Sequence, residues 1–398
     1  MLNEKVLSGL KVVELATFIA GPSCARVLGD WGADVIKIEP PKGDVYRYTG
    51  GGNNDQNPIF ALENSNKRFI SVNIKTQEGL EVIYKLIEKA DVFITNYRKN
   101  ALEGLKLNYE IISEKYPKLI YAHIQGYGEK GPLKDKPGFD VTSFFARGGF
   151  MADLAQEGET PCNAGQAVGD HTLSMYMAAG ILAAVYRREK TGKGELVTSG
   201  LYQAAIYTAG TMLIMAELGI KFPQSRMAAT NPMSSFYQCK DGKWLVLAGV
   251  DWTTYFPRLC QLLNIPELLE NKDYCAPGGG KIYSREITEK IQNKFMKKNR
   301  DEWVDILEKG DFPHELLMHM SDILKDEQAW ANDYLTKFTF KTGNKGTFAN
   351  APVQFGSMSV PEFTHAVRVG GNTKEIMNEL GYTNEQVNAL KEQKNIVC

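Results

Sequence analysis

Cysteine is scarce in this chain. There are six in 398 residues: Cys24, Cys162, Cys239, Cys260, Cys275 and Cys398. No two form a CxxC or CxxxC pair, which argues against a zinc ribbon or a thioredoxin motif. So sparse a set reads as free thiols in a reducing compartment. Long apolar runs are missing as well. The longest, around residues 177–186, is too short to span a bilayer, and residues 1–9 contain no apolar signal core. The expectation is a cytoplasmic protein that does not engage a membrane. Neither sign of charge dominates: 46 basic and 47 acidic side chains leave a net charge of -1. That balance carries no footprint of nucleic-acid binding. The five histidines form no HExxH, and His314 and His319 stand five apart, off a common helical face. They read as structural or exposed, and no metal site is expected. GxSxG and P-loop motifs are both missing. Gly278-Gly279-Gly280 reads as a flexible loop rather than an anion cradle.

What is present is alternation. Residues 11–15 (KVVEL) form a short apolar run, residues 23–31 have helical spacing and end at Gly32, and residues 34–39 (DVIKIE) are strand-like again. The pattern repeats as a strand over 69–73, a helix over 78–90 and a strand over 91–95, then a helix near 108–116 and a strand at 119–125. This predicts an α/β fold with a Rossmann-like, mostly parallel sheet. A long helix follows over 171–190, stopped by Gly192 and Gly194, and another over 199–218. The character changes after Phe222. A hairpin over 236–248, turning at Lys240–Lys243, opens a smaller α+β domain placed at 225–325. The last helix starts near Thr383. The loop after the first strand, residues 16–22, has a single glycine, Gly21. A dinucleotide fingerprint needs more, although such a loop at the carboxyl end of a strand can still line a ligand cleft.

One acid stands out. Asp170 lies in Gly165-Gln-Ala-Val-Gly-Asp170-His-Thr, at the start of the long helix, beside Gly169, where another group can come close. Two readings remain open. Aspartate is a favoured N-cap. A carboxylate at a helix N-terminus also has its charged form favoured, as a covalent nucleophile requires. With an ordinary aspartate pKa near ~3.9, Asp170 is expected to be ionised at neutral pH.

A series of segments, in order along nearly the whole chain, resembles the class III CoA-transferases, the formyl-CoA and carnitine CoA-transferase family. They are Ser8-Gly-Leu-Lys-Val-Val-Glu-Leu15, Ala20-Gly-Pro22, Leu28-Gly-Asp-Trp-Gly-Ala-Asp-Val-Ile-Lys-Ile-Glu39, Asn66-Lys-Arg68, Lys75-Thr-Gln-Glu-Gly79 and Ala90-Asp-Val-Phe-Ile-Thr-Asn96-Tyr97. Gly126-Tyr-Gly128, Gly131-Pro132, Pro137-Gly-Phe-Asp140, Gly169-Asp170, Thr191-Gly-Lys-Gly194, Gly371-Asn-Thr-Lys-Glu375 and Leu380-Gly-Tyr382 complete it. The resemblance is strongest to clostridial members that serve amino-acid fermentation.

The resemblance implies that Asp170 is the nucleophile and that Lys75, Asn96, Tyr97, Ala101 and Phe139 line CoA. It implies an interlocked homodimer, with residues 1–224 as the first part of the large domain and 326–398 returning to it. CoA would be a substrate, with no tightly bound cofactor. The donor would be an enoyl-CoA such as isocaprenoyl-CoA, and the acceptor a 2-hydroxy acid, 2-hydroxyisocaproate before phenyllactate, serving leucine degradation with a functional link to a 2-hydroxyacyl-CoA dehydratase. Ile19 occupies the place of a glutamine in formyl-CoA transferases. With the small Ala20 beside it, it suits a bulky apolar acyl chain and leaves oxyanion stabilisation to backbone amides. An α-methylacyl-CoA racemase shares the fold but needs a base where Phe139 stands. A non-catalytic CoA-binding subunit would lack Asp170.

Overall fold

The computed structural model describes residues 5–51, 57–341, 343–360 and 362–398. Residues 1–4 of the segment read above as lacking a signal core lie outside them. In chain order the first elements are β1 (Lys11–Leu15), α1 (Ala20–Asp30), β2 (Asp34–Glu39), α2 (Pro58–Asn64), β3 (Arg68–Val72), α3 (Gln77–Glu88), β4 (Val92–Thr95), α4 (Lys99–Gly104), α5 (Tyr109–Lys115) and β5 (Ile120–Gln125). A π-helical stretch, Asp140–Ala146, precedes α6 (Phe150–Asp153), α7 (Val168–Thr191), β6 (Glu195–Gly200) and α8 (Leu201–Thr208).

The strands β1 to β6 pair in parallel in the order β3-β2-β1-β4-β5-β6. The order reverses between β1 and β4. At that point the loops leaving neighbouring strands diverge to opposite faces and open a crevice. The sheet is nearly continuous hydrophobic sequence because helices cover both faces. Val13, Leu15, Ile38, Ile70, Val72, Phe93 and Tyr121 form its buried spine, with Ile83, Leu86 and Ile87 of α3 packed on it. The two-residue strand Ile396–Val397 adds antiparallel to β3, so the C-terminal end of the chain joins the sheet.

The chain divides into two units. One comprises residues 1–149, 164–213 and 326–398; the other 150–163 and 214–325. The second therefore takes more than the expected 225–325: residues 150–163 and 214–224 group with it. Its three-stranded antiparallel sheet joins Phe236–Gln238, Trp244–Leu247 and His314–Leu316 around a core that includes Tyr237, Phe256, Phe295 and Trp303. The hairpin fell where the sequence pattern put it.

Three sequence readings change. The helix expected over 199–218 starts later: Ser199 and Gly200 end β6 and pair with Ile124 and Gln125 of β5, because a neighbouring strand decides the state of so short a polar segment. The antiparallel pair Leu335–Thr339 and Lys345–Ala349 was not foreseen. The long helix begins at Val168 rather than 171. Among the described residues no helix is long and apolar enough to cross a membrane.

Candidate active site

The crevice at the sheet's switch point opens into a cavity of about 1030 Å³. Its walls come from the loops after β1, β4 and β5 and from the start of α7. Seven of the eight residues singled out from the sequence face it: Ile19, Ala20, Asn96, Tyr97, Ala101, Phe139 and Asp170. Lys75 does not. It is exposed after β3, where its backbone N–H donates to Asn73 Oδ1 at 3.2 Å.

Asn96 ties the two edges of the crevice together. Thr17 N–H donates to Asn96 Oδ1 (3.0 Å), and Asn96 Nδ2 donates to Thr17 O (2.7 Å). Its amide is therefore spent on holding loop to loop. His123 lies beneath Tyr97, its Nε2 2.9 Å from the Tyr97 carbonyl and its Nδ1 3.1 Å from Gln125 Nε2. Those partners suit a neutral ring with the proton on Nε2, and burial holds its pKa below the usual histidine value.

Asp170 is not the N-cap. Ala167, in the left-handed conformation at φ 61°, occupies that position, and Asp170 stands in the first helical turn. Ser174 Oγ lies 2.7 Å from Asp170 O and 2.8 Å from Ala20 O, joining this turn to the first turn of α1. Gly169 is required here: a Cβ would overlap the Asp140 carboxylate and the Phe144 ring. Asp140, 8% exposed, thus sits against the N-terminus of α7, where the amides of Gly169 and Asp170 face it. Phe144 and Phe145 are buried in the packing beneath.

The acids crowd each other. Burial first, then the Asp140 charge and more weakly Glu63, push the Asp170 pKa up to about 7, against the opposing pull of His171. This corrects the expectation of an ordinary, fully ionised aspartate: the helix terminus is outweighed by desolvation and a like charge. His171, read as structural or exposed, has Nε2 2.9 Å from Oε1 of the buried Glu63. Burial works against its charge, but Glu63 and Asp170 together raise its pKa. Sequence spacing could not find this quartet, since Glu63 and Asp140 are 107 and 30 positions away from Asp170.

Beneath the 16–20 loop lies a buried ion network. Lys37 Nζ contacts Glu14 Oε1 (2.7 Å), Asp44 Oδ2 (3.0 Å) and the Ala16 carbonyl (2.9 Å). Lys67 Nζ contacts Glu14 Oε2 (2.8 Å), the Pro22 carbonyl (2.7 Å) and Asn64 Oδ1 (3.0 Å). Arg47 and Glu39 pair through two bonds of 2.7 and 2.8 Å. All are buried. The sequence signal of this network is charge inside buried strands: Glu14 in β1, and Lys37 and Glu39 in β2.

A model of the family described as CoA-transferase family III matches residues 7–366. The chain is 44% identical over 394 residues to the (R)-2-hydroxy-4-methylpentanoate CoA-transferase of Clostridioides difficile, covering 98% of this chain and 99% of that one. It is 38% identical over 404 residues to the cinnamoyl-CoA:phenyllactate CoA-transferase of Clostridium sporogenes, covering 99% and 98%. A CAIB/BAIF family protein from Brucella suis superposes with a TM-score of 0.81 at 27% identity, over 95% of this chain and all of the other.

Proposed function

The chain belongs to CoA-transferase family III, and from that premise we propose that it moves CoA from an enoyl-CoA to a 2-hydroxy acid, 2-hydroxyisocaproate before phenyllactate, through covalent intermediates on Asp170. One observation carries this reading: Asp170 is the carboxyl group in the first turn of α7 that faces the same cavity as Ile19, Ala20, Asn96, Tyr97, Ala101 and Phe139. The rim carries Arg98, Lys99, Lys134 and Lys136, cations suited to the phosphates of CoA. Lys75, further off, would serve only an extended part of that ligand.

A carboxylate oxygen of Asp170 attacks the thioester carbonyl. The C–S bond breaks, CoA leaves as thiolate, and a mixed anhydride remains. The thiolate then attacks the aspartyl carbonyl, releasing the donor acid as carboxylate and leaving an aspartyl-CoA thioester. The acceptor carboxylate attacks that thioester, re-forming an anhydride and thiolate. Attack of the thiolate on the acceptor's acyl carbon restores Asp170. Each step passes through an oxyanion. The Ala20 and Gly21 amides at the start of α1 have no intrahelical partners and are the donors at hand, since the Ile19 side chain offers none and the Ala167, Gly169 and Asp170 amides face Asp140. Alignment in the cavity supplies the effective concentration that a weak nucleophile lacks.

Only the ionised form of Asp170 attacks. The kcat/KM of the transfer should therefore rise with pH and level off above a midpoint near the Asp170 value of about 7. Asp140→Asn removes the like charge and should move that midpoint downward. A flat profile from pH 5 to 9 in both proteins would contradict this electrostatic account.

The free cysteines support a reducing, cytoplasmic setting. Tyr207, 76% exposed, and Ile206, 42% exposed, on α8 offer apolar surface consistent with a homodimer. Activated 2-hydroxy acids suit a dehydratase as the next enzyme. The substrate reading is tested with 2-hydroxyisocaproate, phenyllactate, oxalate and carnitine, each with a matching CoA donor. The first should give the highest kcat/KM. Preference for oxalate or carnitine would reject it.

A further inference from the structure

We propose that Phe18 determines which acyl chains the cavity accepts, an inference that rests on the transfer reaction proposed above. The ring of Phe18 lines the cavity with Phe139 and Asp170. It meets Phe139 edge-to-face, centroids 5.9 Å apart at 86°, and is backed by Tyr46 at 6.2 Å. Both Phe18 (36%) and Phe139 (53%) remain exposed into this space, although large apolar rings ordinarily seek cover. The two rings, set edge-to-face, make an apolar wall of the cavity that Asp170 also lines.

The backbone holds Phe18 there at a cost. Its φ is +63°, the left-handed region that bulky side chains avoid. The backbone leading into it is pinned. Lys37 holds the Ala16 carbonyl, Asn96 holds both polar groups of Thr17, and Asp44 Oδ1 accepts from Phe18 N–H at 3.4 Å and from Tyr46 N–H at 3.0 Å. Local strain kept in place by buried ion pairs marks a side chain whose position matters. Asn96 and Lys37 act through the loop, as positioning residues. Phe18 presents the surface. An intact two-ring wall leaves room for a branched aliphatic chain, and loss of one ring enlarges the space toward a phenyl group.

Phe18→Gly is the decisive variant, because glycine adopts this φ without strain and the pins on Ala16, Thr17 and Asp44 do not involve the ring. The ratio of kcat/KM for 2-hydroxyisocaproate over phenyllactate should fall about 10-fold, the scale on which apolar pockets discriminate. Phe139→Leu, removing the facing ring, should move the ratio the same way. A thermal melt of both variants checks folding. If the wild type transfers CoA and neither variant alters the ratio, with both acids losing equally, Phe18 only packs its loop and the inference is wrong. If the wild type transfers CoA to neither acid, the substrate reading fails and this inference fails with it.

Discussion

Asp170→Ala should lower CoA transfer by at least about 10⁴-fold, the scale on which loss of a covalent nucleophile is felt, with acyl-CoA affinity nearly unchanged. The reason is that no other carboxyl group takes its place. Asp140 is the nearest candidate, but it lies against the Gly169 and Asp170 amides behind the helix start, and Glu63 is buried and bound to His171. Binding should survive because the cavity's other walls come from separate loops. Hydroxylamine trapping and mass spectrometry on the wild type during turnover should find an acyl or CoA adduct on the peptide containing Asp170. Near-normal turnover by the variant, or an adduct elsewhere, would remove Asp170 from the mechanism. Asp170→Asn is a useful companion: it keeps the shape, and its residual rate reports any slow deamidation back to aspartate.

Lys37→Met should destabilise the larger unit by roughly 3–5 kcal/mol, the cost of breaking a buried ion pair by removing one partner. Lys37 opposes Glu14 and Asp44 together, and burial would strip its charge were those two acids not raising its pKa well above the ordinary lysine value. Without it, among the described residues, Asp44 is left with no cationic partner and Glu14 with Lys67 alone. The Ala16 carbonyl loses its donor as well. The midpoint of urea unfolding, followed through the larger unit's transition, should drop with little change in slope. An unchanged midpoint would mean that the network contributes nothing to stability. Because the same lysine holds the loop that carries Phe18, the folded fraction should also transfer CoA more slowly.

The strands were legible in the sequence wherever they were buried on both faces. Lys11–Leu15, Asp34–Glu39 and Val92–Thr95 are short segments rich in Val, Ile, Leu and Phe between turn signals, and all three sit at the centre of the parallel sheet. Glu195–Gly200 and Ile396–Val397 were not legible. They are short, lie at or near the edges, and take their state from the partners they pair with. The hairpin around Asp241-Gly242 announced itself through its turn, where Gly242 adopts φ +78°.

The family and the place of Asp170 beside Gly169 were determined by the sequence alone, because motifs in fixed order and a glycine at a close approach are local properties of a chain. The charge on Asp170 was not. It is decided by Asp140, Glu63 and His171, brought together from three elements, and electrostatics depends on distance in space rather than along the chain. The same holds for Phe18: nothing in Ala16-Thr-Phe-Ile-Ala20 states that its ring will meet Phe139 over a cavity. Only the packed sheet, with buried lysines fastening the loop above it, fixes that contact.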